Sequence, residues 1–262
     1  MLVDSHCHLN YSSLAKDRDN VIDRARQAGV VCLLTVTTGM KSLPETREII
    51  KTYDDVFGTV GVHPHHITEE GENITADDLI KLSNEPKIAG IGETGLDYFY
   101  DHAPRDEQQR VFREHIRACL ATGLPLIVHS RDAEDDTIRI INEERAGQGG
   151  KLKGVMHCFS SRRKLAEEAL AMGFYISVSG ILTFKKSEEL RSIIRDVPLD
   201  RLLVETDAPY LAPEPYRGKI CEPAYVVHTA RVLAEVKGVS YEEIAKQTTT
   251  NFFRLFDKVP QT

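Results

Sequence analysis

Cysteine is scarce and unpatterned in this sequence. The five present, Cys7, Cys32, Cys119, Cys158 and Cys221, are odd in number, widely scattered and form no CxxC pair, which points to free thiols in a reducing compartment. Long apolar runs are also missing. The longest, "VVCLLTV" at 30–36, falls far short of the roughly 20 residues that span a bilayer. The N-terminus lacks a basic region followed by an apolar segment and a cleavage site, so no signal peptide is expected and a cytoplasmic location is. Positive charge is in deficit: 33 Lys and Arg against 40 Asp and Glu leave a formal net charge of −7. A protein that coats nucleic acid nonspecifically needs the opposite balance, although an enzyme gripping one or two phosphates does not. No glycine-rich phosphate fingerprint follows the first strand, which argues against a dinucleotide fold. No linker or low-complexity tract interrupts the chain.

What is present is an ordinary globular composition, 41% hydrophobic and 28% charged over 262 residues, a length that α/β barrels reach as one domain. A single domain over 1–262 is therefore expected. Short β-branched runs near 2–6, 30–37, 57–62, 87–92, 125–129, 153–158, 174–178 and 201–206 alternate with charge-rich amphipathic segments such as "PRDEQQRVFREHIRACLATG" and "KSEELRSIIRDV". Gly29, Gly123 and Gly173 stand where helix ends favour a residue tolerant of positive φ. Eight strand-helix repeats fit an α/β fold of the closed (β/α)8 TIM-barrel kind. "SYEEIAKQTTTNFFRLF" reads as an extra C-terminal helix.

Active sites of such barrels lie at the C-terminal ends of the strands, and six of the eight expected strands end in histidine or a carboxylate. "VDSHCHL" offers His6 and His8, which share one face of a strand by its two-residue period, "GVHPHH" offers His63, and "GIGETGLD" offers Glu93. "LIVHSRD" brings His129, "GVMHCFS" brings His157, and "LLVETDAPY" brings Glu205 and Asp207. Glu93 and Asp207 follow apolar strands, where an uncompensated carboxylate is costly and a metal or other cation is called for. Imidazole is a common ligand for zinc-like ions. His63 is expected in the site, His65 and His66 in a solvated turn, and His102, His115 and His228 on the surface or in packing. Cys158 and Cys221 have no independent base to activate them as nucleophiles.

In this order the motifs "DSHCHL", "GVHPH", "IGETGLDYFY", "LPLIVHSRDA", "HCFS", "YISVSGILTFKK" and "LLVETDAPYLAP" closely resemble the TatD family of metal-dependent deoxyribonucleases, within the amidohydrolase-like barrels. The resemblance runs from residue 4 to about 227. It implies two divalent cations per chain, zinc, manganese, magnesium or cobalt being left open, with His6 and His8 on one, Glu93 as bridge, His129 and His157 on the other, and Asp207 at the first metal and the attacking water. DNA, as ends or single strands, is the implied substrate, cleaved through a metal-bridged hydroxide, with 3'-5' exonuclease action among the readings. No membrane and no obligatory protein partner are implied. His63 and Arg217 are the candidate substrate contacts, and Glu93, Asp207 and His63 the candidate catalytic residues. Arg131, Arg162 to Lys164, Lys185, Lys186, Arg217 and Lys219 all follow expected strand ends and form a candidate basic rim. The sequence departs from the family pattern at Ser161, where "HCFSG" would put glycine, and at Ile220 and Cys221 before Glu222 and Pro223. A deacylase or amidase acting on a carbonyl with the same metal pair is the alternative, and a binding protein keeping a vestigial barrel a more distant one.

Overall fold

The structure is a computed structural model that describes residues 1–71, 73–148 and 151–261. Its strands are β1 (Leu2–Cys7), β2 (Val30–Thr35), β3 (Val56–Val60), β4 (Ile88–Asp97), β5 (Leu126–Arg131), β6 (Gly154–Met156), β7 (Tyr175–Val178) and β8 (Leu202–Val204). They form one parallel sheet in sequential order, as a (β/α)8 barrel requires. The helices that return the chain are α1 (Ser12–Ala15), α2 (Arg18–Gln27), α3 (Leu43–Thr52), α4 (Ala76–Ser83), α5 (Arg105–Thr122), α6 (Glu134–Gln148), α7 (Arg163–Ala171), α8 (Glu188–Asp196), α9 (Val226–Lys237) and α10 (Tyr241–Leu255). Gly123 closes α5 in the left-handed conformation at φ +74°, and Gly29 and Gly173 take φ +88° and +83° just past α2 and α7. None of the described helices is long and apolar enough to cross a membrane.

Two apolar layers follow from the strand period. Outward-facing residues such as Leu2, Leu33, Val60, Ile91 and Leu126 pack against the helices. Inward-facing Val3, Leu34, Phe57, Ala89, Ile127, Val155 and Leu203 form a separate cluster with Phe252, Phe253 and Phe256 at the end of α10. The extra C-terminal helix thus plugs the barrel with aromatic volume. Asn251 of the same helix donates to the carbonyls of Leu199 and Leu202 at 2.9 and 2.8 Å, fixing the plug to β8.

Closure between β8 and β1 depends on polar side chains more than on a regular ladder. An isolated bridge at this seam joins Cys7 to Ala208, supported by the Asp207 amide donating to His6 O at 2.9 Å and the His8 amide to Ala208 O at 2.7 Å. Below it the fully buried Asp4 accepts the Thr206 amide at 2.9 Å and the Thr206 hydroxyl at 2.5 Å. Burial raises the Asp4 carboxyl to about 8 against those hydrogen bonds.

Register slips mark the strands that carry central site residues. β1 shifts against β2 between Asp4 and Cys7, and β4 shifts against β5 between Ile91 and Thr94. Such irregularities re-aim a side chain that a regular strand would point elsewhere. Gly95, at φ +140°, permits the approach of β4 to β5: a β-carbon there would meet His129 O at 1.9 Å. Gly95→Ala is therefore expected to lose roughly 3 kcal/mol or more, combining backbone strain with a backbone clash. Urea unfolding would read this as a lower midpoint at unchanged slope, and a midpoint matching the wild type would show that β4 can retreat.

Candidate metal centre

At the mouth of the barrel the residues expected from strand ends converge on Glu93. The Glu93 Oε2 oxygen lies 3.4 Å from His6 Nε2 and 3.9 Å from His8 Nε2, while Oε1 lies 3.2 Å from His129 Nδ1 and 2.7 Å from His157 Nε2. Asp207 Oδ1 stands 3.6 Å from His6 Nε2 and 3.3 Å from His8 Nε2. One carboxylate oxygen of Glu93 therefore faces each half of the cluster. His6, His8 and Asp207 form one group of candidate ligands, and His6, Glu93 and His157 another.

The outer nitrogens show which face of each ring is free to bind. His8 Nδ1 lies 3.1 Å from Val36 O, His129 Nε2 lies 2.9 Å from Asp97 Oδ2, and His157 Nδ1 lies 3.3 Å from Glu205 Oε1. Each of those partners is an acceptor, so each outer nitrogen carries the proton in the neutral ring and the inner nitrogen presents a lone pair. Those lone pairs face anionic oxygens. His157 Nε2 is buried and makes no hydrogen bond among the described residues despite its 2.7 Å approach to Glu93. Nitrogen lone pairs and carboxylates aimed at one point repel unless positive charge lies between them. The donor set therefore fits divalent cations, and the carbonyl or carboxylate behind each of these three histidines is the arrangement that orients metal-ligating imidazoles.

The electrostatics show the same demand for positive charge, which protons on the rings can also meet. Burial opposes protonation of His157, yet Glu93 and Glu205 hold it well above the ordinary imidazole value. His8 and His129 are raised against burial by Asp207 and by Asp97 with Glu93. Glu93 is held well below the carboxylate range, its burial outweighed by His157, His63 and His129. Asp207 is lowered against its burial by His8 and His6.

His63 differs from the other four. Its Nε2 lies 3.3 Å from Glu93 Oε1, close enough to belong to a ligand group with His129. Its Nδ1, however, accepts the His65 amide at 3.0 Å. A neutral ring that accepts at Nδ1 carries its proton on Nε2, so His63 points an N–H donor into the cluster. Burial lowers it to about 3, with Glu93 opposing, which keeps it neutral.

Strand ends place these groups at a cost in backbone conformation. Cys158, following His157, has φ +44°, and Asp207 itself has φ +60°. For residues other than glycine, such conformations persist where the surroundings over-determine them, and they gather at functional sites.

Of the two supporting carboxylates, Glu205 is among the strand-end residues expected from the sequence and Asp97 is not. Asp97, with 1% of its side chain exposed, and Glu205, wholly buried, are carboxylates within apolar strand contexts, which was the signal available. His65 corrects the solvated-turn expectation: it is half-buried, with Nε2 2.9 Å from Asp97 Oδ2. His115 is the packing residue expected, buried on α5, accepting the Val62 amide at 3.0 Å and facing Val111 O at 2.8 Å. The five thiols are free, and burial raises Cys158 well above the thiol range.

Among the departures, Ser161 donates its hydroxyl to Glu134 at the start of α6, at 2.5 Å. Ile220 is 59% exposed and Cys221 is buried. Arg217 is exposed in the loop after β8, its guanidinium carbon 3.9 Å over the Phe184 ring. The rim is less basic than its sequence, since Arg163 pairs with Asp196 at 2.6 Å and Lys164 with Asp135 at 2.7 Å.

The family pattern described as TatD related DNase matches residues 3–257. This chain belongs to that family. It is a metal-dependent hydrolase of the TatD type, 45% identical over 258 residues to an uncharacterized metal-dependent hydrolase, YcfH, of Escherichia coli K12, covering 97% of this chain and 95% of that one. It is 33% identical over 261 residues to a protein of Escherichia fergusonii named 3'-5' ssDNA/RNA exonuclease TatD, covering 97% and 98%. The crystal structure of YJJV, a TatD homologue from E. coli K12, superposes with a TM-score of 0.88 at 27% identity over 99% of this chain and 98% of that one. The TatD-type barrel is therefore common to both.

Proposed function

We propose that this chain is a deoxyribonuclease that hydrolyses phosphodiester bonds at DNA ends or in single strands, with two divalent cations held by His6, His8, Glu93, His129, His157 and Asp207. The convergence of inward-facing imidazole lone pairs on the two oxygens of Glu93 carries this reading. When bound, such ions acidify water and polarise a phosphoryl oxygen. The remaining work falls to side chains of the protein. Asp207 is the more open of the two central carboxylates, 14% exposed against 4% for Glu93, and is placed to accept the proton of an attacking water. His63 directs a neutral N–H inward, suited to donate to a phosphate oxygen or to the leaving oxygen. Arg217, a planar guanidinium on an exposed loop, supplies a phosphate contact. A few such contacts are compatible with an acidic chain, and the relative named as an ssDNA/RNA exonuclease supports a nucleic-acid substrate.

The test is digestion of end-labelled single-stranded and duplex DNA by the metal-loaded protein, with and without chelator, beside a panel of amides and esters. Metal-dependent cleavage of DNA is expected. Robust amide or ester turnover without DNA cleavage would overturn the substrate while leaving the metal centre intact. His63→Phe separates the role of that residue from ligation. It is expected to retain two bound ions by elemental analysis and to lose roughly 100-fold in turnover. Loss of an ion in His63→Phe would make His63 a ligand instead.

A further inference from the structure

The loop that leaves β4 carries two neighbouring aromatic rings in the open, Phe99 at 56% and Tyr100 at 49% exposure. Single exposed apolar residues are commonplace, but these two are organised. Their centroids lie 4.9 Å apart, edge to face. The Arg131 guanidinium carbon sits 3.9 Å over the Phe99 ring and 4.7 Å over the Tyr100 ring. Arg131 ends β5, two residues after His129, so the two side chains leave the same face of the strand roughly 7 Å apart along it.

Asp97 ties the loop to the metal cluster. Its Oδ1 accepts the amides of Phe99 at 3.1 Å and Tyr100 at 2.9 Å. Its Oδ2 stands 2.9 Å from His129 Nε2 and 2.9 Å from His65 Nε2. The same carboxylate thus orients a candidate metal ligand and fixes the backbone of the aromatic pair. The Tyr98 amide adds a bond to Arg131 O at 2.9 Å, and the Asp97 amide donates to Gln108 Oε1 of α5 at 2.8 Å.

We infer that Phe99, Tyr100 and Arg131 form a stacking subsite for an unpaired nucleobase, held at a fixed distance from the metal centre by Asp97. The inference rests on the nucleic-acid reading above and specifies its substrate as a strand with unstacked bases. Every base offers a π-face to an aromatic ring, so such a platform is indifferent to sequence. The guanidinium adds a planar cation that can stack and meet a phosphate. A chain of net charge −7 cannot rely on a broad electrostatic grip, so local stacking is a needed source of affinity. In an intact duplex the bases are already stacked on one another, and the platform therefore favours single strands and frayed ends.

The experiment uses full-length, metal-loaded protein in an Asp207→Asn background, which slows cleavage, and a short single-stranded oligonucleotide with 2-aminopurine placed at successive positions. Quenching is expected at one or two positions near the end. Phe99→Ala in the same background should remove the quench and weaken binding by roughly 10-fold or more, in line with the known strength of base-aromatic stacking, and Phe99→Trp should restore both. A blunt duplex of equal length should bind more weakly and depend less on Phe99. Unchanged quench and affinity in Phe99→Ala would overturn the subsite, as would wild-type self-association in the ultracentrifuge that Phe99→Ala abolishes while oligonucleotide binding persists. Wild-type hydrolysis of bis(4-nitrophenyl) phosphate distinguishes the two levels. If the wild type cleaves this compound, failure of Phe99→Ala to affect binding removes the stacking inference alone. If it neither cleaves the compound with any divalent metal nor binds the oligonucleotide, the phosphodiester reading falls with it.

Discussion

Glu93→Gln is expected to bind neither of two divalent ions tightly. Glu93 turns its two oxygens to different halves of the cluster, Oε2 toward His6 and His8 and Oε1 toward His129 and His157. Replacing a carboxylate oxygen with an amide nitrogen removes the shared negative charge from both halves and the ligating lone pairs from one of them. Turnover should fall to background. Thermal unfolding offers a readout independent of activity, because a ligand that binds only the folded state stabilises it by about 4 kcal/mol at a thousandfold excess over Kd. Wild-type protein should therefore gain stability with added metal and the variant should not. A variant that retains two ions after extensive dialysis would show that Glu93 does not bridge them.

Asp207→Asn is expected to keep the fold, retain metal at high concentration and lose roughly 100-fold or more in turnover. Asn preserves the size of the side chain and one oxygen near His6 and His8, but not the basicity needed to accept a proton. Asparagine also tolerates positive φ well, so the +60° backbone at this position should not penalise the exchange. Comparison at saturating metal isolates the chemical step from weakened binding. Near-normal turnover under those conditions would remove Asp207 from proton handling and leave it as a ligand only.

Much of this is legible in the amino-acid sequence. The alternation of β-branched and amphipathic segments anticipates the eight strands to within a few residues at most ends, and the residue types at those ends anticipate the cluster. The discrepancies are local and have causes. β4 runs on to Asp97, past the expected end near 92, because Gly92 and Gly95 look like a strand terminator while serving as the positions where β4 crowds β5. β6 and β8 stop at Met156 and Val204, short of His157 and Asp207. Positive φ at Cys158 and Asp207 takes the chain out of the strand where the candidate ligands are presented. His6 and His8 do converge, with Nε2 atoms 3.3 Å apart, although His8 lies beyond the end of β1.

By itself the sequence determined the barrel and the identity of the cluster, because hydrophobic period and polar residues at strand ends are properties of neighbouring positions. Only the tertiary structure decided what stands behind each histidine, since those partners come from far along the chain: Val36 for His8, Asp97 for His129 and Glu205 for His157. The same holds for Asp4, whose carboxyl group closes the barrel by holding Thr206 across the seam between β1 and β8. The distinction between His63, which points an N–H inward, and His8, His129 and His157, whose outer nitrogens face acceptors and leave lone pairs inward in the neutral ring, also belongs to the folded state. It is set by the His65 amide, and a 3₁₀ turn at Pro64–His66 brings that donor to Nδ1. A ring nitrogen takes its role from the hydrogen bond made by the other nitrogen, and that bond exists only once the turn has formed.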